Sequence, residues 1–160
     1  MRAFWLVFLS IPILVFQNTF LSRIAINGAM PDLYFLLAVF IALYGPKEKV
    51  YVLNWLMGMI RDCLSETALG TWAMLFLLVT FLILHIRDLI VKENIAFQFG
   101  TVFTAIFTAN ILYGISIVYF YSPYGFWHAA FKSGIIALYT ALAAPFFYIL
   151  LYSLRMERLR

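Results

Sequence analysis

The side chains able to do chemistry are few, and they are concentrated in one stretch. Asn54-Trp-Leu-Met-Gly-Met-Ile-Arg-Asp-Cys-Leu-Ser-Glu66 brings an amide, a guanidinium and two carboxylates into a chain that is otherwise apolar. On a helix, Asn54, Gly58 and Asp62 fall at i, i+4 and i+8, one above another on a single face. A charge among apolar helices is costly and is seldom kept without a partner or a task. Asp62 therefore has two readings. It fixes a helix pair, a ligand or a partner protein, or it stands at the outer end of a short helix in water, near enough for Arg23 or Lys132 to pair with it. Arg61 is its neighbour in sequence and points elsewhere on the helix. The expected structural role is to hold the turn after this helix. Asp62 would do so by accepting from backbone N–H groups around residues 67–70 or by pairing with a basic residue of another outer loop.

Recognisable catalytic patterns are missing. The sequence has no H-E-x-x-H, no G-x-S-x-G and no P-loop. Cys63 is the only cysteine, which rules out an internal disulfide and a Cys-rich metal site. His85 and His128 have no ligand spacing around them, and His85 with Asp88 reads as a solvated turn. No enzymatic activity, catalytic residue, metal or cofactor is expected. Basic residues interleaved with aromatics are also missing, so nucleic acid is not an expected partner.

The elements that must position these residues follow from composition. Of 160 residues, 66% are hydrophobic and 11% charged; a soluble domain needs roughly 25% charged residues to cover its surface. The bilayer is the solvent this chain suits. Six helices of about 20 residues each use nearly the whole length, giving an all-α bundle in one integral membrane domain, 1–160. The expected helices are 4–21, 31–44, 50–64, 71–86, 96–121 and 127–154. The first reads as a retained helix and not a cleaved signal, because no small-x-small site follows it. Asn27-Gly28 marks a turn. Pro31 and Asp32 open the second helix, since proline suits a first turn, and Gly45-Pro46 closes it. That helix is short for a span, which suggests little tilt or a thinned bilayer. Lys47-Glu48-Lys49 reads as a polar hinge, Ser65-Glu66-Thr67 as a turn, and Gly70 as a point of close backbone approach. Ser122-Pro-Tyr-Gly125 separates the last two helices, and residues 155–160 form a basic tail.

Charge placement gives the orientation. With six spans, Arg2, Lys47, Lys49, Arg87, Lys92, Arg155, Arg158 and Arg160 share one side, and Arg23, Arg61 and Lys132 the other. The richer side is cytoplasmic and holds both termini. Tyr119, Tyr121, Tyr124, Phe126 and Trp127 form an aromatic rim on the opposite side. Gln98, Thr101, Thr104 and Thr108 make a polar stripe on the fifth helix, read as helix packing in preference to a solute cavity. Gly134, Ala137, Ala141 and Pro145, with Ala105 and Ala109, offer a small-residue seam, either internal or for another protein's helix.

Pro31-Asp32-Leu33 opening an apolar helix, then Gly58-Met-Ile-Arg-Asp62-Cys-Leu-Ser65, then Leu69-Gly70, make the chain resemble the MreD family of bacterial rod shape-determining proteins. The motif covers about residues 31–88. Where the family shows Gly-Leu-x-x-Asp this chain has Gly58-Met-Ile-Arg-Asp62, and where Ser-Gly often follows it has Ser65-Glu66. The resemblance implies a non-catalytic scaffold in the bacterial inner membrane, binding MreC and working with MreB, RodA and the elongation penicillin-binding protein in lateral wall synthesis. It makes Pro31, Asp32, Asn54, Gly58, Asp62 and Gly70 the candidate structural or partner-binding residues. The family is also similar in fold to S-components of energy-coupling-factor vitamin transporters, so a subunit that binds a small molecule or lipid is the alternative. The first helix lacks the Ala-x-x-x-Ala-type pair by which S-components dock, which counts against it.

Overall fold

The computed structural model describes residues 2–25, 29–65, 68–87, 95–120 and 126–153. Within them the chain forms six α-helices: α1 Arg2–Thr19, α2 Leu33–Tyr44, α3 Lys47–Leu64, α4 Thr71–Ile86, α5 Ile95–Phe120 and α6 Phe126–Ser153. A short 3-10 turn, Leu21–Ile24, follows α1. The hairpins α5–α6 and α3–α4 are the most closely packed pairs, and α2 touches all five other helices. Ala96–Ile115 of α5 and Ala130–Leu151 of α6 are long and apolar enough to cross a membrane on their own, whereas α2 and α4 are shorter apolar helices.

Local chemistry explains where the helices begin and end. Asp32 is the N-cap of α2 and its carboxylate accepts from Phe35 N at 2.9 Å. Pro31 therefore precedes the cap and is not in the first turn as expected. At the other end Gly45 is extended, as the residue before a proline must be. Lys47-Glu48-Lys49 is not a hinge. The Pro46 carbonyl accepts from Lys49 N and Val50 N, so the three residues form the exposed first turn of α3. Gly70 has φ +97°, a left-handed conformation that favours glycine. Among the described residues, its chain neighbours aside, no atom lies within 4 Å of where its Cβ would be, so it is the conformation that favours glycine there.

Ten consecutive residues of α2, Tyr34 to Leu43, are buried. A helix apolar on every side belongs inside a bundle. Twelve residues make about 18 Å, and the five helices around α2 bury it along most of that length. Of the small-residue seam, Ala137, Ala141, Ala105 and Ala109 are buried in the core, and Gly134 and Pro145 are half-buried. Thr101 and Thr104 turn their hydroxyls back to carbonyls of α5 itself, in keeping with the packing reading. With Thr108 they also line a shallow groove of about 300 Å³ against α4. Of the aromatic rim, the side chain of Trp127 is described and is exposed; those of Tyr119, Tyr121, Tyr124 and Phe126 lie outside the described residues. Also outside them are the Asn27-Gly28 turn, the 122–125 break and the basic tail.

Candidate functional site

Three rungs tie α3 to α4, built from the stripe Asn54, Gly58 and Asp62. At the first, Asn54 Nδ2 donates to Thr80 Oγ1 at 2.7 Å and to Ala38 O of α2 at 3.2 Å. The Thr80 hydroxyl in turn donates to Phe76 O. At the second, the backbones touch: a Cβ on Gly58 would lie 2.4 Å from Ala73 Cα and 2.8 Å from Ala73 N. At the third, Asp62 reaches the N-terminus of α4. Its carboxylate accepts from Trp72 N at 2.9 Å, Ala73 N at 3.0 Å and Gly70 N at 3.1 Å. Gly70 has no side chain with which to cap α4, so a carboxylate from the preceding helix takes over. It meets both the orphan N–H groups and the positive end of the helix dipole.

Of the two readings of Asp62, the water-facing one does not hold and the helix-pair one does: Asp62 is only 2% exposed, because its oxygens turn inward to α4. Of residues 67–70, Gly70 is the donor shown, and the other two donors lie further on, in the first turn of α4.

A second knot gathers at the start of α2. Asp32 Oδ2 pairs with Arg61 Nη1 at 2.8 Å, and the N–H is not aligned along that contact. Oδ1 accepts from Phe35 N and, at 3.3 Å, from Gln17 Nε2 of α1. The Gln17 side-chain oxygen, Oε1, accepts from Tyr34 N at 2.9 Å, and Tyr34 donates its hydroxyl to Met57 O of α3. From α6, the Thr140 hydroxyl accepts from Asp32 N at 2.9 Å. The start of α2 is thus bonded to α1, α3 and α6 at once. The Arg61 guanidinium lies 3.6 Å over the Trp72 ring, and Trp72 packs on Tyr113 of α5 with ring centroids 4.5 Å apart. Arg61 therefore joins the two knots, although it points away from Asp62 beside it in sequence.

The far end of α2 has its own cation. Arg87 is buried and donates Nη1 to Gly45 O at 2.7 Å and Ala42 O at 3.3 Å. Charge placement counts it only as a cytoplasmic-side cation, and its guanidinium closes the carbonyl end of α2, where a positive charge suits the dipole.

Of the six candidate residues, Asn54, Gly58, Asp62 and Gly70 meet at the α3–α4 hairpin, and Asp32 starts the neighbouring knot through Arg61. Pro31 is buried beside Asp32. The sequence reading missed Gln17, Tyr34, Thr140 and the role of Arg87. A lone glutamine in an apolar helix was the available signal for the first. Among the described residues, no group of three or more His, Cys, Asp or Glu side chains is placed to hold a metal ion.

A family model described as rod shape-determining protein MreD matches residues 2–158. The chain belongs to the MreD family. No curated protein and no solved structure matches it. MreD membership gives the bundle its setting, a membrane, and its process, the determination of cell shape. It also extends the resemblance from a motif over 31–88 to nearly the whole chain.

The ion pair makes a direct test of the second knot. Arg61→Gln and Asp32→Asn are each expected to lower the melting temperature in detergent. The double variant should lose less than the sum, with a coupling of about 1–3 kcal/mol, since the residues share one contact. Additive effects would show that the 2.8 Å pair contributes nothing.

Proposed function

We propose that this MreD-family chain is a non-catalytic scaffold subunit of the cell-elongation complex, in the bacterial cytoplasmic membrane. It crosses the membrane six times with both termini inside, binds MreC, and through it works with MreB, RodA and the elongation penicillin-binding protein. One observation carries the non-catalytic reading. The carboxylates best placed for acid or base work, Asp32 and Asp62, spend their oxygens holding helix ends and Arg61. A group committed to backbone N–H groups on several sides is poorly suited to exchange protons with a substrate. Contacts to partner helices would instead come from packing on the apolar exterior, where Phe131, Leu138, Leu142 and Phe146 of α6 stand exposed.

Co-purification from detergent tests the scaffold reading. Wild-type protein should retain MreC, and loosening the α3–α4 hairpin should release it. Retention of a small molecule in place of MreC would favour the S-component-like alternative.

Topology has a separate test. The exposed Cys63 is first replaced by serine, and single cysteines are placed at Lys47 and Lys132, both exposed. An impermeant thiol reagent added to whole cells is expected to label position 132 and to spare position 47 until the membrane is opened. Labelling of both, or of 47 alone, would overturn the orientation.

A further inference from the structure

The bundle is not equally tall on its two flanks. Asn54, Gly58 and Asp62 bind α3 and α4 into one hairpin, and among the described residues α3 touches neither α5 nor α6. Apolar side chains stand exposed from Tyr51 to Leu64 on α3 and from Met74 to Ile86 on α4. Along the helix axes these bands are about 20 Å and 18 Å tall. On the other flank the exposed apolar band runs from Phe97 to Ile115 on α5 and from Phe131 to Leu150 on α6. Those bands are about 27 Å and 28 Å tall. The hydrocarbon core of a bilayer is about 30 Å thick, so α5 and α6 nearly match it and the α3–α4 flank falls short by about 10 Å.

Neither end of the short flank suits hydrocarbon. At one end Lys47, Glu48 and Lys49 are exposed, and a charge facing lipid is costly. At the other end Ser65 and residues 68–70 are not helical, and Ala68 and Leu69 are exposed. Irregular backbone facing lipid does not occur within the hydrocarbon region. The hairpin cannot stretch to gain height, because Asp62 ties the end of α3 to Trp72 N and Ala73 N of α4. Tilt would shorten its projected height further. Of the ways a bilayer and a short span accommodate each other, thinning of the bilayer leaves both ends of the flank in water. The two flanks are level at the Lys47 end, since Tyr44 and Tyr148 are in ring contact at 6.2 Å just before Lys47 and Leu151. The shortfall therefore lies at the Leu64 end.

We propose that the α3–α4 flank holds the surrounding bilayer locally thin, drawing in the leaflet at its Leu64 end, while α5 and α6 meet a bilayer of ordinary thickness. The partner of this surface is the lipid itself, and short acyl chains fit it with the least deformation. The inference rests on the chain crossing the membrane, as proposed above, and not on MreC binding.

The test uses full-length protein carrying Cys63→Ser and one nitroxide-labelled cysteine, at Leu64, Phe131 or Leu142, all exposed. Each variant is reconstituted into vesicles of dimyristoleoyl, then of the longer dioleoyl, phosphatidylcholine, and collision with a water-soluble nickel chelate is measured by electron paramagnetic resonance. Leu142, well inside the α6 band, should be about tenfold less accessible than Leu64 in both lipids, because water is scarce in hydrocarbon. As the lipid lengthens, Phe131 should lose accessibility severalfold, whereas Leu64 should keep its value to within about twofold, since the flank pulls the longer lipid down to its own height. A label at Leu69, also exposed, repeats the reading if Leu64 does not tolerate one. A fall at Leu64 that parallels Phe131 would show that the bilayer simply covers the hairpin, and would overturn the proposal. No change at either position would show that the bilayer moulds itself to the whole protein, and would overturn the difference between the flanks. Leu142 open to the chelate in both lipids would instead overturn the membrane reading on which the proposal rests.

Discussion

Replacing Asp62 with alanine is expected to open the α3–α4 hairpin and to weaken MreC binding and rod shape together. The carboxylate accepts from three backbone N–H groups, and two of these belong to the buried residues Trp72 and Ala73. Hydrogen bonds to a charged group contribute about 1.5–3 kcal/mol each, so losing the two buried ones costs about 3–6 kcal/mol. Among the described residues no other side chain is shown capping α4, whose N-cap Gly70 has none to offer. Asp62→Asn should cost less, since the amide keeps one acceptor oxygen, though its NH₂ group would face N–H donors. Thermal unfolding in detergent gives the order wild type, Asn, Ala. An alanine variant that stays stable and binds MreC while cells lose their shape would remove the structural role. A ligand-binding or catalytic role for Asp62 would then move ahead of the scaffold.

Gly58→Leu should be at least as damaging, for a steric reason. Even a Cβ at position 58 would sit 2.4 Å from Ala73 Cα, and the atoms it meets are backbone, which no rotamer change can move aside. The helices would have to separate by about an ångström or more, and the Asn54 and Asp62 rungs on either side would stretch. Overpacking typically costs about 1–3 kcal/mol; alanine should reach the top of that range and leucine pass it. Ala141→Leu, at a fully buried position of the core, should act in the same direction. Leu78→Ala should do little, as Leu78 is 43% exposed to what the bundle presents to lipid. Equal thermal shifts for all three would show that close helix approach does not limit this fold.

Much of the architecture could be read before any coordinates. Apolar stretches separated by Gly45-Pro46 and Leu69-Gly70 carry their own punctuation, and the 3.6-residue period puts Asn54, Gly58 and Asp62 on one face. That face could be recognised as buried because a polar stripe in an apolar chain has few other places to go. What it meets could not be read. Arg61 pairs with a residue 29 positions earlier, and Asp32 N bonds one 108 positions later; no local pattern encodes such contacts. Arg87 shows the same limit. A cation at the end of an apolar run reads as a water-facing loop residue, and only the tertiary fold brings a helix C-terminus to its guanidinium.

The doubly closed α2 also bears on how the chain is made. Its first turn depends on Gln17, which precedes it, but also on Arg61 and on Thr140 in the last helix, while its final carbonyls wait for Arg87. A backbone group left unmet in hydrocarbon costs several kcal/mol. At about 18 Å, α2 falls short of the roughly 30 Å hydrocarbon core, so it is a poor candidate for independent insertion during synthesis. It would have to wait at the interface or shelter beside α1 until later helices arrive. Maturation of this protein is then a late, collective step, and a ribosome released before α6 leaves a chain whose centre has nowhere stable to be.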